Sequence, residues 1–157
     1  MSFNTDYQRS KLLNRYYEKV GMAAAGQGAC PHFQTFVAGF GLVDESDPEN
    51  PKLQDIPPDL KEIPREFYRD TLEAQYSNGS TLCRCEIPVG AVDTPQRYNM
   101  IGILDQDDEL VAVCLTLPDW VTPTEADRAF PVLTFPLEPD PDGDGTTEGG
   151  EDLGGGN

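Results

Sequence analysis

The sequence predicts a single α+β domain over residues 1–137, one main helix packed on a largely antiparallel β-sheet, followed by an acidic, glycine-rich tail over residues 138–157. Three stretches carry that expectation. Tyr98–Leu117 reads YNMIGILDQDDELVAVCLTL, two apolar runs around the acidic turn Asp105–Glu109. A short polar interval between runs of Ile, Leu and Val is a hairpin signal. Thr71–Pro88 repeats the pattern around Ser77-Asn78-Gly79-Ser80, whose Asn-Gly pair suits a tight turn. Near the N-terminus, Leu12, Leu13, Tyr16, Tyr17 and Val20 recur at helical spacing.

In chain order, Thr5-Asp6-Tyr7-Gln8 fits a capping box that opens the helix, and Gly21 is its expected stop. Arg9, Lys11, Arg15 and Lys19 lie largely outside the apolar stripe and read as a solvated polar face, with docking on an acidic neighbour as the other outcome. Ala23–Gly28 is a permissive connection. Phe33–Phe40 is β-prone and closes in Gly39-Phe40-Gly41, a strand ending in a turn or bulge. Asp, Glu, Asn and Pro make Leu42–Pro58 a loop, and Asp59–Arg69 is expected to hold a short helix with Pro64 near its start. Leu72, Ala74 and Tyr76 alternate with polar residues in one arm of the Asn-Gly hairpin, and Cys83, Cys85 and Ile87 share a face in the other. Gly90–Arg97 leads to the central hairpin. Pro118–Ala129 is expected to be a loop with a helical turn at Thr124–Arg128. Val132–Leu137 is a short edge strand, since Pro136 donates nothing to a ladder.

The central hairpin has apolar residues on both faces of its first arm: Met100, Gly102 and Leu104 on one, Ile101 and Ile103 on the other. A strand apolar on both sides is covered twice. Joining copies of the chain is one way for a small protein to provide that cover. Met100, Ile101, Ile103 and Leu104, with the helix residues Leu12, Tyr16 and Val20, are therefore the expected interface residues, an ordinary monomer core being the other reading of each, since apolar periodicity does not separate core from interface.

At 157 residues the chain suits one domain with a real core. Its apolar fraction is 38%, against a globular norm of roughly 45–50%. The 28 acidic and 11 basic residues give a net charge of −17. That field repels nucleic acid and favours solubility and basic partners. No run approaches the roughly 18 apolar residues that a membrane span needs, so no membrane insertion is expected. Charged residues from Asp6 to Arg15 occupy the stretch where a signal peptide would be apolar, so export by that route is not expected either. Four cysteines without a leader suit a reducing cytosol, as small buried residues. Glu138–Asn157 holds seven carboxylates, seven glycines and almost nothing apolar. It cannot bury enough surface to offset its ordering entropy, and is expected to be disordered.

Among chemical motifs, Asp140, Asp142 and Asp144, followed by Gly145 and Glu151, satisfy a calcium-loop spacing: clustered carboxylates for a hard cation, and a glycine for the turn. The flanks do not fit, because Pro139 and Leu153-Gly154-Gly155-Gly156 replace the helices of an EF-hand, and Thr147 takes a normally apolar position. An acidic linker is the plainer reading, with a small cation-binding module as the alternative function. Cys30, His32, Cys83, Cys85 and Cys114 offer zinc-type ligands at spacings that match no common finger, and buried thiols explain the last three. Cys30 with His32 is the only nucleophile–base pairing that suggests a hydrolase, and no oxyanion element accompanies it. The acidic turn Asp105–Glu109 reads as a solvated hairpin tip, with pairing to a basic neighbour as the other outcome. No enzyme activity and no cofactor are expected.

The order of these elements resembles a known family. An N-terminal helix is followed by Phe36-Val37-Ala38-Gly39-Phe40-Gly41 and Ile56-Pro57-Pro58-Asp59-Leu60. A hairpin ending in Glu86-Ile87-Pro88 comes next, then Ile101-Gly102-Ile103-Leu104-Asp105 and Leu110-Val111-Ala112-Val113. Across residues 6–137 this is similar to the N-terminal, baseplate- or tail-attachment domain of phage tail-collar fibre proteins. The resemblance implies a structural virion protein of a phage tail, assembled in the bacterial host cytoplasm. Such a protein connects or anchors tail fibres to the tail or baseplate as a homotrimer. Its partners would be tail or baseplate proteins and fibre subunits. Two departures stand out: Cys114 replaces a small glycine of the family pattern, and family members usually continue into a shaft and receptor-binding tip. The implied role is attachment or adaptation rather than receptor binding.

Overall fold

The computed structural model describes residues 8–135. The expected capping residues before Gln8, and everything from Pro136 onward, lie outside the described residues. The described residues form eleven strands and one helix, and every paired strand among them is antiparallel. The fold is sheet-dominated, more so than an even mixture of helix and sheet.

The first element is a correction. Gln8–Leu12 is a strand, β1, and the helix α1 runs from Asn14 to Ala24. Leu12 pairs with Ala112 on the edge of the central hairpin, so ladder hydrogen bonds override the helical periodicity. Leu13 is the N-cap and offers no side-chain cap. The exposed amide of Asn14 donates instead to the Pro58 carbonyl at 2.8 Å, and Leu13 N–H donates to Val111 O at 2.9 Å. The helix passes through Gly21 and turns out at Gly26, whose φ is +75°.

The main sheet has five strands. Its remaining members are β2 (Thr35–Gly39), β5 (Tyr68–Thr71), β8 (Gln96–Leu104) and β9 (Leu110–Val121), in the order β1-β9-β8-β2-β5. Between β2 and β5, the expected loop 42–58 contains a small ladder of β3 (Val43–Asp44) with β4 (Lys52–Leu53). The helix expected within Asp59–Arg69 is absent, and its last residues join β5. The second sheet is built on the Asn-Gly hairpin, β6 (Glu73–Ser77) and β7 (Ser80–Ile87). Asn78 and Gly79 both take positive φ, +49° and +88°, as that hairpin turn requires. Along the other edge of β7 run β10 (Asp127–Ala129) and β11 (Val132–Thr134). The expected helical turn at Thr124–Arg128 is therefore partly strand, because β7 offers an edge to pair with.

The two faces of the main sheet explain the hydrophobic pattern of the central hairpin. One face carries Phe36, Ala38, Ile101, Ile103, Ala112 and Cys114, and packs on Cys83, Cys85, Ile87 and Leu133 of the second sheet. The other carries Val37, Met100, Val113 and Leu115, covered by Leu13 and by Leu53, Ile56 and Ile63 of the loop excursion between β2 and β5. Met100, Ile101 and Ile103 are at most 1% exposed. The double cover comes from a second sheet on one side and a loop on the other, within one chain.

Two irregularities tune β8 and β9. Ile103 pairs with Ala112 but Leu104 pairs with Leu110, which leaves Val111 as an extra residue. That bulge sends Val111 into the cluster opposite to the one Val113 joins. Further along, the register slips between Tyr98 and Met100. The buried Asn99 there uses its side-chain amide as a substitute peptide group, accepting from Gly41 N–H at 2.9 Å and donating to Gly41 O at 2.8 Å. Ile63 fits against two glycines. A Cβ on Gly39 would lie 2.4 Å from the Pro64 carbonyl oxygen and 2.5 Å from Ile63 Cγ2, and a Cβ on Gly102 would lie 2.4 Å from Ile63 Cγ1.

Candidate functional site

The densest group of charged side chains among the described residues sits where α1 meets the tip of the β8–β9 hairpin. The tip is organised by Asp105, whose side chain is fully buried. Asp105 N–H donates to Glu109 O at 3.0 Å, and its carbonyl accepts from Asp108 N–H at 3.0 Å. Its Oδ1 accepts from the amides of Asp107 at 3.0 Å and Glu109 at 3.1 Å. An aspartate bonding to its own downstream backbone is a turn-forming device.

The other oxygen of Asp105 faces α1. Lys19 Nζ lies 2.5 Å from Asp105 Oδ2 and 2.9 Å from both Asp107 Oδ2 and Glu109 Oε1. One turn earlier on the helix, Arg15 donates to Glu109 at 2.8 Å and to Glu18 at 3.2 Å. From the opposite side, Gln106 accepts from His32 N–H at 3.1 Å and donates to Cys30 O at 3.3 Å. The tip is thus gripped between the helix and the 30–32 segment. Lys19 is the one buried residue of α1, so the helix docks here through an ammonium rather than an apolar stripe.

The electrostatics fix the charges of this cluster. Burial by itself would depress Lys19, but its bonds to Asp105, Glu109 and Asp107 outweigh that and raise its pKa, so it stays protonated. Arg15 first, and Lys19 second, hold Glu109 down at about 2. Neither group exchanges a proton near neutrality, whereas a general acid or base needs a pKa close to working pH.

The expected site residues fare differently. Met100, Ile101, Ile103 and Leu104 are buried within the chain's own core, as is Leu12, which lies on β1 and not on the helix. The cover they were expected to find in another copy is supplied by β7 and by Leu53, Ile56 and Ile63, which corrects their reading as an exposed interface. Tyr16 belongs to an aromatic group, its ring centroid 6.2 Å from Phe33 and 5.9 Å from Phe135. Val20 is half-buried. Asp140, Asp142, Asp144 and Glu151 lie outside the described residues. Among the described residues, no three His, Cys, Asp or Glu side chains gather in a way that could hold a metal ion.

Cys30 is exposed, and the His32 ring bonds to Gln34 at 3.0 Å. Cys83, Cys85 and Cys114 are buried thiols without disulfides. Burial pushes Cys83 up to about 12 and Cys85 higher still. A thiol so far from its thiolate is a poor nucleophile.

Sequence reasoning held basic pairing of the acidic turn only as the lesser outcome and did not name Lys19 as Asp105's partner; it missed Asn99 as a ladder substitute and Ile63 as the residue seated on Gly39 and Gly102. The signal for the first was present: a lysine on the helix and an acidic turn in a hairpin. What the sequence lacks is any marker joining residues 86 positions apart. Comparison with protein-family models, with curated proteins and with solved structures finds no match.

Proposed function

We propose that this chain is a structural protein of a phage tail, connecting or anchoring fibres to the tail or baseplate through protein–protein interfaces and without turnover. The observation that carries this reading is the adjacency of the stretches on which the resemblance rests. Phe36–Gly41 lies on and just after β2, Ile101–Asp105 on β8 and its turn, and Leu110–Val113 on β9, three neighbouring strands at the middle of the main sheet. Segments far apart in sequence thus form one unit, as a shared fold requires. The acidic tip supports it too, since Arg15 and Lys19 neutralise its carboxylates as scaffold.

Attachment then falls to surfaces other than the covered ribbon. The open edges of β1, β5 and β6 and the exposed side chains Tyr17, Tyr76, Val89, Trp120 and Phe130 are the available contacts. The homotrimer is part of the same proposal. Mass spectrometry of purified tailed particles, with antibody labelling in the electron microscope, tests it: label at the tail or baseplate is expected, and absence of the chain from intact particles overturns it. Sedimentation of the full chain addresses the trimer separately.

A further inference from the structure

Strand β6 is exposed at every residue from Glu73 to Ser77, and among the described residues it pairs with β7 alone. Across that ladder Ala74 stands opposite Cys83 and Tyr76 opposite Thr81, and both of these β7 residues are buried. Directly opposed residues share a face of a sheet. Ala74 and Tyr76 therefore look inward, over a cleft of about 550 Å³ that Tyr16, Phe33 and Phe135 also line, yet Tyr76 is 58% exposed. Glu73, Gln75 and Ser77 take the outer face. A strand held along one edge and covered on neither face is marginal by itself.

The free edge of β6 is complementary to a copy of itself. Asn78-Gly79 is a two-residue turn, so Ser77 and Ser80 exchange hydrogen bonds across it. Alternation then turns the backbone groups of Gln75 and Glu73 toward β7, and those of Ala74 and Tyr76 out to the open edge. In an antiparallel pair of β6 strands centred on Gln75, Ala74 meets Tyr76 of the second copy, and Tyr76 meets its Ala74. Every outward amide and carbonyl of those two residues then finds a partner. On the inward face a large side chain stands beside a small one on each side of the centre. On the outer face Glu73 meets Ser77 and Gln75 meets Gln75, so no two carboxylates are directly opposed.

The edges of β1 and β5 carry charge that discourages such pairing, Arg9 and Lys11 on the one and Arg69 and Asp70 on the other. The only charge on β6 is Glu73, at its start, and the run from Ala74 to Cys83 has none. In a chain of net charge −17, an uncharged edge is where two copies repel each other least.

We propose that β6 pairs with β6 of a second copy about a two-fold axis at Gln75, joining the second sheets of the two chains into one continuous sheet. The two aromatic clefts then lie side by side beneath the joined strands. A single short edge buries less than a standard interface, so the pairing is weak and concentration-dependent. This inference does not depend on the tail reading. A two-fold contact closes at two copies, so the trimer proposed above would use other surfaces.

Sedimentation equilibrium of the full chain, from micromolar to millimolar concentration, tests the pairing. Association in pairs is expected, and Gln75→Lys should weaken it by about tenfold or more, because like charges then stand directly opposed. Gln75 is exposed, so that variant should keep the parent's melting temperature. In a Cys30→Ser background, which removes the exposed native thiol, Gln75→Cys should form an inter-chain disulfide. Opposed residues of a non-hydrogen-bonded pair bring their Cα atoms to about 4.5 Å, within disulfide reach. Where the chain also forms trimers, the parent should sediment as a hexamer and Gln75→Lys as a trimer. A parent that never pairs, an assembly that Gln75→Lys leaves intact, or a missing cross-link overturns the proposal.

Discussion

Replacing Lys19 by methionine keeps most of its length and removes its charge. The Asp105 carboxylate, fully buried, would lose the cation on Oδ2 and keep only the two backbone amides on Oδ1. Breaking one half of a buried ion pair costs about 3–5 kcal/mol. The surviving amides argue for the lower end, about 3 kcal/mol, because each remaining charge-assisted bond offsets part of the lost solvation. For a fold of this size, about 3 kcal/mol corresponds to a fall in melting temperature of roughly 10 °C. Asp105→Asn is milder, about 2 kcal/mol, since its oxygen still accepts the turn amides while Lys19 keeps Asp107 and Glu109. The two groups touch, so the double variant should fall short of the sum by at least about 1 kcal/mol. Thermal and urea unfolding of the four proteins measure this cycle. A Lys19→Met cost below about 1 kcal/mol, or strict additivity, would show that the helix is held mainly by apolar contacts and refute the argument.

Three further outcomes follow from the same coordinates. Glu109 is held at about 2 in the fold against 4.5 when unfolded, so its contribution is fully present above 4.5 and fades as pH falls toward 2. Its side chain is 41% exposed, so solvent screening limits the effect to about 1 kcal/mol. Acid titration of stability should therefore be shallower for Glu109→Gln than for the parent between those values. Gly39→Ala drives a Cβ onto the Pro64 carbonyl and should cost about 2–3 kcal/mol, and Ile63→Ala, which empties the seat over the sheet, about 3 kcal/mol. An unchanged urea midpoint for either would refute the packing described around those glycines. A thiol reagent should titrate Cys30 rapidly in the native protein and the other three cysteines only after denaturation. Rapid reaction of a second thiol would contradict the burial of Cys83 and Cys85 on β7 and of Cys114 on β9.

The hairpins were legible because their signals are local. Asn78-Gly79 names its own turn, and the apolar runs around Asp105–Glu109 define two arms by composition alone. The last strand likewise announced itself through Val132 and Leu133. The N-terminal element was not legible as it stands, because Leu12, Leu13, Tyr16 and Val20 fit a helix while Gln8–Leu12 had an edge of β9 waiting for it. Local periodicity cannot weigh a ladder formed with residues a hundred positions away. The acidic turn was misread for a similar reason: five polar residues look solvated until a lysine arrives from another element and Asp105 is sealed beneath it.

The sequence by itself determined that this chain would build an antiparallel sheet around a doubly apolar hairpin, because alternation and turn chemistry act over a few residues. It also determined that both faces of that hairpin needed cover. Only the tertiary structure decided where the cover comes from, since β7 and Ile63 are brought over the hairpin by chain reversals that leave no trace in the hairpin's own pattern. The same holds for the Lys19–Asp105 contact: charge is written in the sequence, but a buried ion pair exists only once two distant segments exclude water together.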